Sequence, residues 1–219
     1  MKFWKIFCIL FFLTGLCQAK TLVFSPSDAY QIQDALSRLK SGDEVIFEKG
    51  KYRLSQGLQV SGLSNVSFRC RGRVELLVSD LDSAVITLEQ CERIRLQGFR
   101  ARHVKPSEEY QCEGAVVRLR RCKNIFVAEN ELNGCGAAGV YAQECKGIIV
   151  YKNRIFNNTF AGIWLNSSQV TIHRNRIYKN ASAVITYGDC EISLTENIIE
   201  KNEGNIFTST SYFQEVMDN

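Results

Sequence analysis

Between Cys122 and Asn197 the chain repeats one pattern of apolar and polar positions. The segments Cys122-Lys-Asn-Ile-Phe-Val-Ala-Glu-Asn130, Cys145-Lys-Gly-Ile-Ile-Val-Tyr-Lys-Asn153, Ser168-Gln-Val-Thr-Ile-His-Arg-Asn175 and Cys190-Glu-Ile-Ser-Leu-Thr-Glu-Asn197 start 23, 23 and 22 residues apart. Each holds a short alternating apolar run (Ile125/Val127, Ile148/Val150, Val170/Ile172, Ile192/Leu194) and closes on Asn. An apolar residue follows two places on, at Leu132, Ile155, Ile177 and Ile199. After a polar turn comes a second alternating run: Val140/Ala142, Ile163/Leu165, Ile185/Tyr187, Phe207/Ser209. A weaker copy, Cys91 to Gly98, begins 31 residues before Cys122, a distance of one repeat plus a short insertion.

Alternation of period two marks a strand with one face buried. Three such strands in 22 to 23 residues, every unit running the same way, predict parallel strands stacked rung upon rung. The expected fold is therefore all-β, a single-stranded parallel β-helix solenoid of about seven rungs over residues 61–210, with a C-terminal tail at 211–219. Asn130, Asn153, Asn175 and Asn197 are expected at a tight turn. There each Asn would take the left-handed backbone conformation and bond its amide along the stack.

The N-terminal part reads differently. Ser25-Pro26-Ser27-Asp28 has the form of a helix entry, with Ser25 as N-cap, Pro26 in the first turn and Asp28 closing a capping box. Ile32, Leu36 and Leu39 make one apolar face and Gly42 ends the helix. Val45/Phe47 and Tyr52/Leu54 follow as strands about a Lys49-Gly50 turn. Residues 20–60 thus predict an α-helical cap over the open end of the solenoid.

Lys2 and Lys5, an uncharged stretch from Ile6 to Leu16 and the small residues Cys17 and Ala19 form the pattern of a cleaved signal peptide over residues 1–19. The stretch is short for a membrane span, and no later segment is apolar enough for one. Taking Lys2 and Lys5 from 27 basic residues leaves 25 against 23 acidic ones. That near-balance points away from a nucleic-acid partner. The expected location is periplasmic or secreted.

The run Ile32-Gln-Asp-Ala-Leu36, then Gly42-Asp-Glu-Val-Ile-Phe47, then Gly50-Lys-Tyr52 resembles the opening of pectate lyase-like right-handed parallel β-helix proteins. The later Asn-ending rungs are similar to the β-helix repeats of that superfamily, which includes NosD-type periplasmic proteins. The resemblance spans residues 21 to 210 and implies a right-handed coil. It does not imply one activity, because the superfamily holds lyases, glycosidases, epimerases and non-enzymatic binders.

In enzymes of that superfamily the substrate lies along the strand that here precedes the Cys position. By alternation, one outward column is Thr87, Arg118, Tyr141, Trp164, Thr186 and Thr208, and the next is Glu89, Arg120, Gln143, Asn166 and Gly188. Tyr141, Gln143, Trp164 and Asn166 suit a sugar chain, and the two Arg suit a carboxylated or sulfated one. Stacked aromatics also stabilise parallel sheets unaided. For catalysis, Glu89 would serve as base with Arg118 and Arg120 neutralising a carboxylate. Glu89 with Arg120 equally describes a surface ion pair. The insertion Ala101 to Gln111 brings Glu108 and Glu109 to this face, and Asp80 with Asp82 offers carboxylates for Ca²⁺. No paired aspartates of the polygalacturonases and no Asp-Pro-His-Asp of the epimerases occur. The expected partner is an anionic polysaccharide, bound and in one reading cleaved or modified. The other reading is a non-enzymatic accessory or adhesin-like protein.

Seven cysteines lie beyond the leader: Cys70, Cys91, Cys112, Cys122, Cys135, Cys145 and Cys190. Stacked neighbours hold Cβ atoms about 4.8 Å apart, against about 3.8 Å in a relaxed disulfide. Strained bridges and free thiols filling the corners are both open, and free thiols need no distortion.

Overall fold

The computed structural model describes residues 19–105, 112–134 and 136–204, with backbone alone at 207–209. Most of the expected leader, Glu108 and Glu109, Cys135 and the C-terminal tail lie outside these residues.

The alternating runs become parallel strands, as their common direction requires. Seven of them, Leu58–Ser61, Ile86–Glu89, Val117–Arg120, Ala138–Gln143, Ala161–Asn166, Ser182–Tyr187 and Phe207–Ser209, form one sheet, here called the first face. A twelve-stranded sheet bends round a corner to supply the second and third faces. In the N-terminal rungs single long strands, Glu44–Leu54, Ser67–Val78 and Arg95–His103, run through that corner. Later rungs break it into pairs such as Ile148–Tyr151 and Arg154–Phe156. Inward columns fill the coil: Val117, Val140 and Ile163 from the first face, Val127, Val150 and Ile172 from the second, Leu132, Ile155 and Ile177 from the third. All nine are at most 1% exposed, so the apolar sets chosen by period two are the core.

The Asn corner is a ladder. Asn130 Nδ2 donates to Asn153 Oδ1 at 3.1 Å, and Asn153 and Asn175 repeat the step at 3.0 Å. The backbone differs from the expectation in one respect. The left-handed residue is the one before each Asn: Glu129, Lys152, Arg174 and Glu196, with φ between 52° and 56°. The Asn amide must point into the coil to reach the next rung, so the sharp reversal falls on the exposed neighbour. A second ladder, Asn158 to Asn180 to Asn202, turns the third face into the first.

One rung departs from the expected register. Ile163 pairs with Val184 and Leu165 with Thr186, so Val184 and Thr186 face inward while Ile185 and Tyr187 face outward. Between Asn158 and Ala161 stand two residues, whereas one residue separates Asn180 from Ser182. The next turn restores the missing residue, because Tyr187 to Glu191 is one step longer than Asn166 to Gln169. The two changes cancel, so the 22-residue period hid a one-residue slip.

The cap forms with less α-helix than expected. Pro26–Gln31 is a 3-10 helix and only Ile32–Leu36 is α-helical. The Ser25 N–H donates to Asp28 Oδ2 at 2.7 Å, and the Asp28 N–H donates back to the Ser25 carbonyl at 2.9 Å. This three-residue closure is the hydrogen-bond step of a 3-10 turn. Ile32, Leu36 and Leu39 are buried over the first rung. The Gln33 amide donates to Gln59 O at 3.0 Å and accepts its N–H at 2.9 Å, blunting the edge of the first face as a further strand would.

Candidate functional site

On the first face, strand pairing places Thr87, Arg118, Tyr141 and Trp164 side by side on successive rungs. The Tyr141 and Trp164 rings stack at 4.4 Å between centroids, inclined by 27°. The Arg118 guanidinium lies 5.9 Å from the Tyr141 ring, and Phe160 meets Trp164 edge-on at 5.0 Å. Tyr141 and Trp164 rest on Ala84, Ala115 and Ala138, a small apolar cluster outside the coil. Both rings are half-buried: small residues at their foot let them lie down, and each covers one face of the other. What they offer a ligand is therefore edges and the Tyr hydroxyl more than open ring faces. The Arg118 Nε is buried and has no hydrogen-bond partner. A buried donor of this kind carries a desolvation cost that an incoming acceptor can repay only by reaching it.

The register slip alters both outward columns. Ile185, not Thr186, follows Trp164, and Tyr187, not Gly188, follows Asn166. Thr186 is buried in the coil, 3% exposed, and Gly188 belongs to the turn with φ of 65°. The rest of the second column holds, with Glu89, Arg120, Gln143 and Asn166 in register.

Arg120 Nη1 lies 3.3 Å from Glu89 Oε1, both side chains well exposed. Glu89 also borders a cleft of about 270 Å³ between the capping helix and the first strand of this face, beside Gln33, Gln59 and Thr87. A larger cavity, about 850 Å³, opens one corner away, at the lengthened turn of Gly188, Asp189 and Cys190 above Cys145 and Ser168. Neither cleft is lined by Arg118, Tyr141 or Trp164.

Asp80 is engaged within its own turn. Asp80 Oδ1 accepts the N–H of Asp82 at 3.0 Å, and this bond, aided by Ser83 and the nearby His103, holds the Asp80 carboxyl below its usual range. Among the described residues no group of three acidic, His or Cys side chains could hold a metal ion.

The sequence reasoning passed over His103. It is 2% exposed, its Nε2 lies 2.8 Å from the Ser83 carbonyl, and its Nδ1 is buried without a partner. Inward alternation with Val78 could have marked it as core. Cys70, Cys91, Cys122, Cys145 and Cys190 are free thiols. The Cys122 N–H donates to Cys145 Sγ at 3.4 Å, and the Cys145 N–H to Ser168 Oγ at 3.0 Å, so thiol and hydroxyl occupy the same corner. Hydrogen bonding to Cys145 and burial push the Cys122 thiol up to about 11, and burial pushes Cys70 up to about 12.

A chain wound into rungs of three parallel strands, with Asn ladders at the corners, defines a parallel β-solenoid. The chain belongs to the right handed beta helix region family, whose model matches residues 77–216. No match is found among the curated proteins. A provisionally assigned glycosyl hydrolase of Parabacteroides merdae shares the fold at 13% identity and a TM-score of 0.66, over 84% of this chain and 100% of that one. Jun a 1, the major allergen of cedar pollen, does so at 14% identity and a TM-score of 0.55, over 86% and 77%. An alginate lyase of a Paenibacillus species matches at 12% identity with a TM-score of 0.43, over 86% and 98%. At these identities the likeness is one of fold.

Proposed function

We propose that this is an exported β-helix protein that binds an extracytoplasmic anionic polysaccharide along its first face. The observation that carries the reading is the Arg118–Tyr141–Trp164 stripe, in which a guanidinium with a buried, unpartnered Nε adjoins stacked aromatic edges. Gln143 and Asn166 supply amides alongside. A carboxylate or sulfate reaching Arg118 would gain a charge-assisted hydrogen bond, and the Tyr141 hydroxyl and the ring edges would meet sugar oxygens. No helix among the described residues is long and apolar enough to cross a membrane.

Binding without chemistry is the reading we favour over cleavage. Glu89, the candidate base, is engaged by Arg120, and an exposed ion pair does not provide the desolvated carboxylate that proton abstraction uses. Affinity electrophoresis in gels containing polygalacturonate, alginate or neutral dextran tests the proposal. Retardation in the acidic gels alone, weakened by Arg118→Gln and by added salt, is expected. Equal mobility in all three gels overturns it. Growth of ultraviolet absorbance from an unsaturated product during incubation would replace binding by a lyase reaction.

A further inference from the structure

We propose a second polyanion-binding surface on the third face, a strip that takes an acidic polysaccharide laid along the solenoid axis. It goes beyond the first-face stripe and does not depend on it.

The strip is built by register. Lys51, Glu75, Arg100, Glu131 and Arg154 stand in one outward column on five successive rungs. Arg53, Leu77 and Arg102 form the neighbouring column. Each carboxylate here answers two cations: Glu75 meets Lys51 at 3.4 Å and Arg102 at 2.8 Å, and Glu131 meets Arg100 at 3.9 Å and Arg154 at 3.0 Å. The side chains of Arg53 and Arg73 make no ion pair among the described residues. Arg73, Arg100 and Arg102 border a recess of about 180 Å³.

Six cations thus face two carboxylates, an excess of four. The formal charge of the entire chain is +4, so this one strip holds a positive excess as large as the net charge of the whole protein. Like charges on a folded surface repel, and concentrating them on one face creates a local potential that draws anions. Beyond the strip, Phe156 and Tyr178 stack at 4.8 Å and 10°, with the guanidinium groups of Arg154 and Arg176 at 5.6 and 4.9 Å from their rings.

The geometry selects the occupant. Within the main column Lys51, Arg100 and Arg154 stand on alternate rungs, about 9.6 Å apart, close to the length of two sugar residues in an extended chain. A linear polyanion laid along the axis could meet a cation of this column at every second sugar, with Arg53, Arg73 and Arg102 alongside. A nucleic-acid duplex curves away from a straight narrow strip, and a lipid surface would want apolar side chains able to insert, which the Lys51 to Arg154 column does not offer.

The test compares three proteins on polygalacturonate, alginate, neutral dextran, duplex DNA and vesicles of anionic phospholipid. They are the full chain, the double variant R53S/R73S, and R118Q on the first face. Arg53 and Arg73 hold no ion pair, so the double variant should melt like the parent, and circular dichroism checks this. At low salt R53S/R73S should weaken binding to the acidic polysaccharides at least fivefold. Unchanged binding by R53S/R73S overturns the third-face site, whether or not R118Q binds less. Loss with R118Q alone leaves the first-face reading standing and removes this one. Tighter binding to DNA or vesicles than to either acidic polysaccharide overturns the choice of occupant.

Discussion

The side-chain amide of Asn153 donates to Oδ1 of Asn175 on the next rung at 3.0 Å. Asn153 also donates to the Val127 carbonyl at 2.8 Å and accepts the N–H of Asn130 at 2.9 Å, so it closes the corner for three rungs at once. Lys152 beside it carries the left-handed backbone, with φ of 52°. The work of this turn is divided between two adjacent residues.

That division gives opposite expectations for neighbouring substitutions. Asn153→Ala and Asn153→Gly should each cost about 2–4 kcal/mol, because both leave the buried Asn130 N–H without its acceptor and break the amide ladder between Asn130 and Asn175. Lys152→Gly should be neutral or stabilise by up to about 1 kcal/mol, since glycine takes positive φ without strain. Urea denaturation of the three variants measures both effects. A markedly milder Asn153→Gly than Asn153→Ala would return the backbone role to the Asn.

How much of this was legible depended on the length scale of the signal. Period-two runs such as Ile148/Val150 and the 22-to-23-residue repeat disclose strands, core and parallel stacking, because burial imposes them on every rung. The conformation within a corner is invisible to that pattern: Lys152 gives no hint of positive φ, since the strain is imposed by its neighbour's amide. The slip at Val184 was hidden because one turn lost a residue and the next regained it. The first-face columns were readable up to Trp164, but whether its ring faces are open depends on Ala84, Ala115 and Ala138, small residues at the entry to the first-face strands whose packing under the rings the alternating pattern does not disclose. The excess charge of the third face was spread over Lys51, Arg73, Arg100 and Arg154, which are remote in sequence and converge only once the register is known.

The slip itself can be tested. Ile163 and Val184 are fully buried partners, so Ile163→Asp and Val184→Asp should each place an unpaired charge in the coil and leave little folded protein at ambient temperature. Ile185 lies outside the coil beside Trp164, covered to 6% exposure, and Ile185→Ser should cost about 2–4 kcal/mol, less than a charge placed in the coil. Thermal melts followed by circular dichroism rank the three. If Ile185→Ser proved as damaging as Val184→Asp, the outward assignment of Ile185 would fail.

The Tyr141–Trp164 stack should matter for stability as well as for any ligand. Trp164→Ala removes a half-buried ring and an aromatic pair, a loss of about 1–3 kcal/mol. Trp164→Phe keeps most of the stack and should cost under about 1 kcal/mol. Parental stability in Trp164→Ala, read from denaturant midpoints, would show the ring free in solution and restore an open platform.

The last prediction concerns acid. Asp43 is 6% exposed, and its two oxygens accept the N–H groups of Lys20 and Lys40 at 2.9 Å each. Burial pushes the carboxyl up, but these donors and the two lysine charges outweigh it and hold it below the usual carboxylate range. A carboxyl depressed in the folded state stabilises the protein above its unfolded pKa of about 3.9, and that contribution drains away as the pH falls through the folded value. Asp43→Asn should therefore lower the melting temperature by several degrees at neutral pH, because an amide can accept one N–H but presents its own NH₂ to the other. As the pH falls through the folded-state value the gap between parent and variant should narrow, because the parent then loses the same interaction. If the leader is removed after Ala19, the Lys20 nitrogen is an ammonium group and the contact becomes an ion pair at the mouth of the cap. Acetylating that terminus should then shrink the neutral-pH gap while leaving the acid value in place. A gap independent of pH would show that Asp43 acts by shape alone and that its charge does not hold the cap.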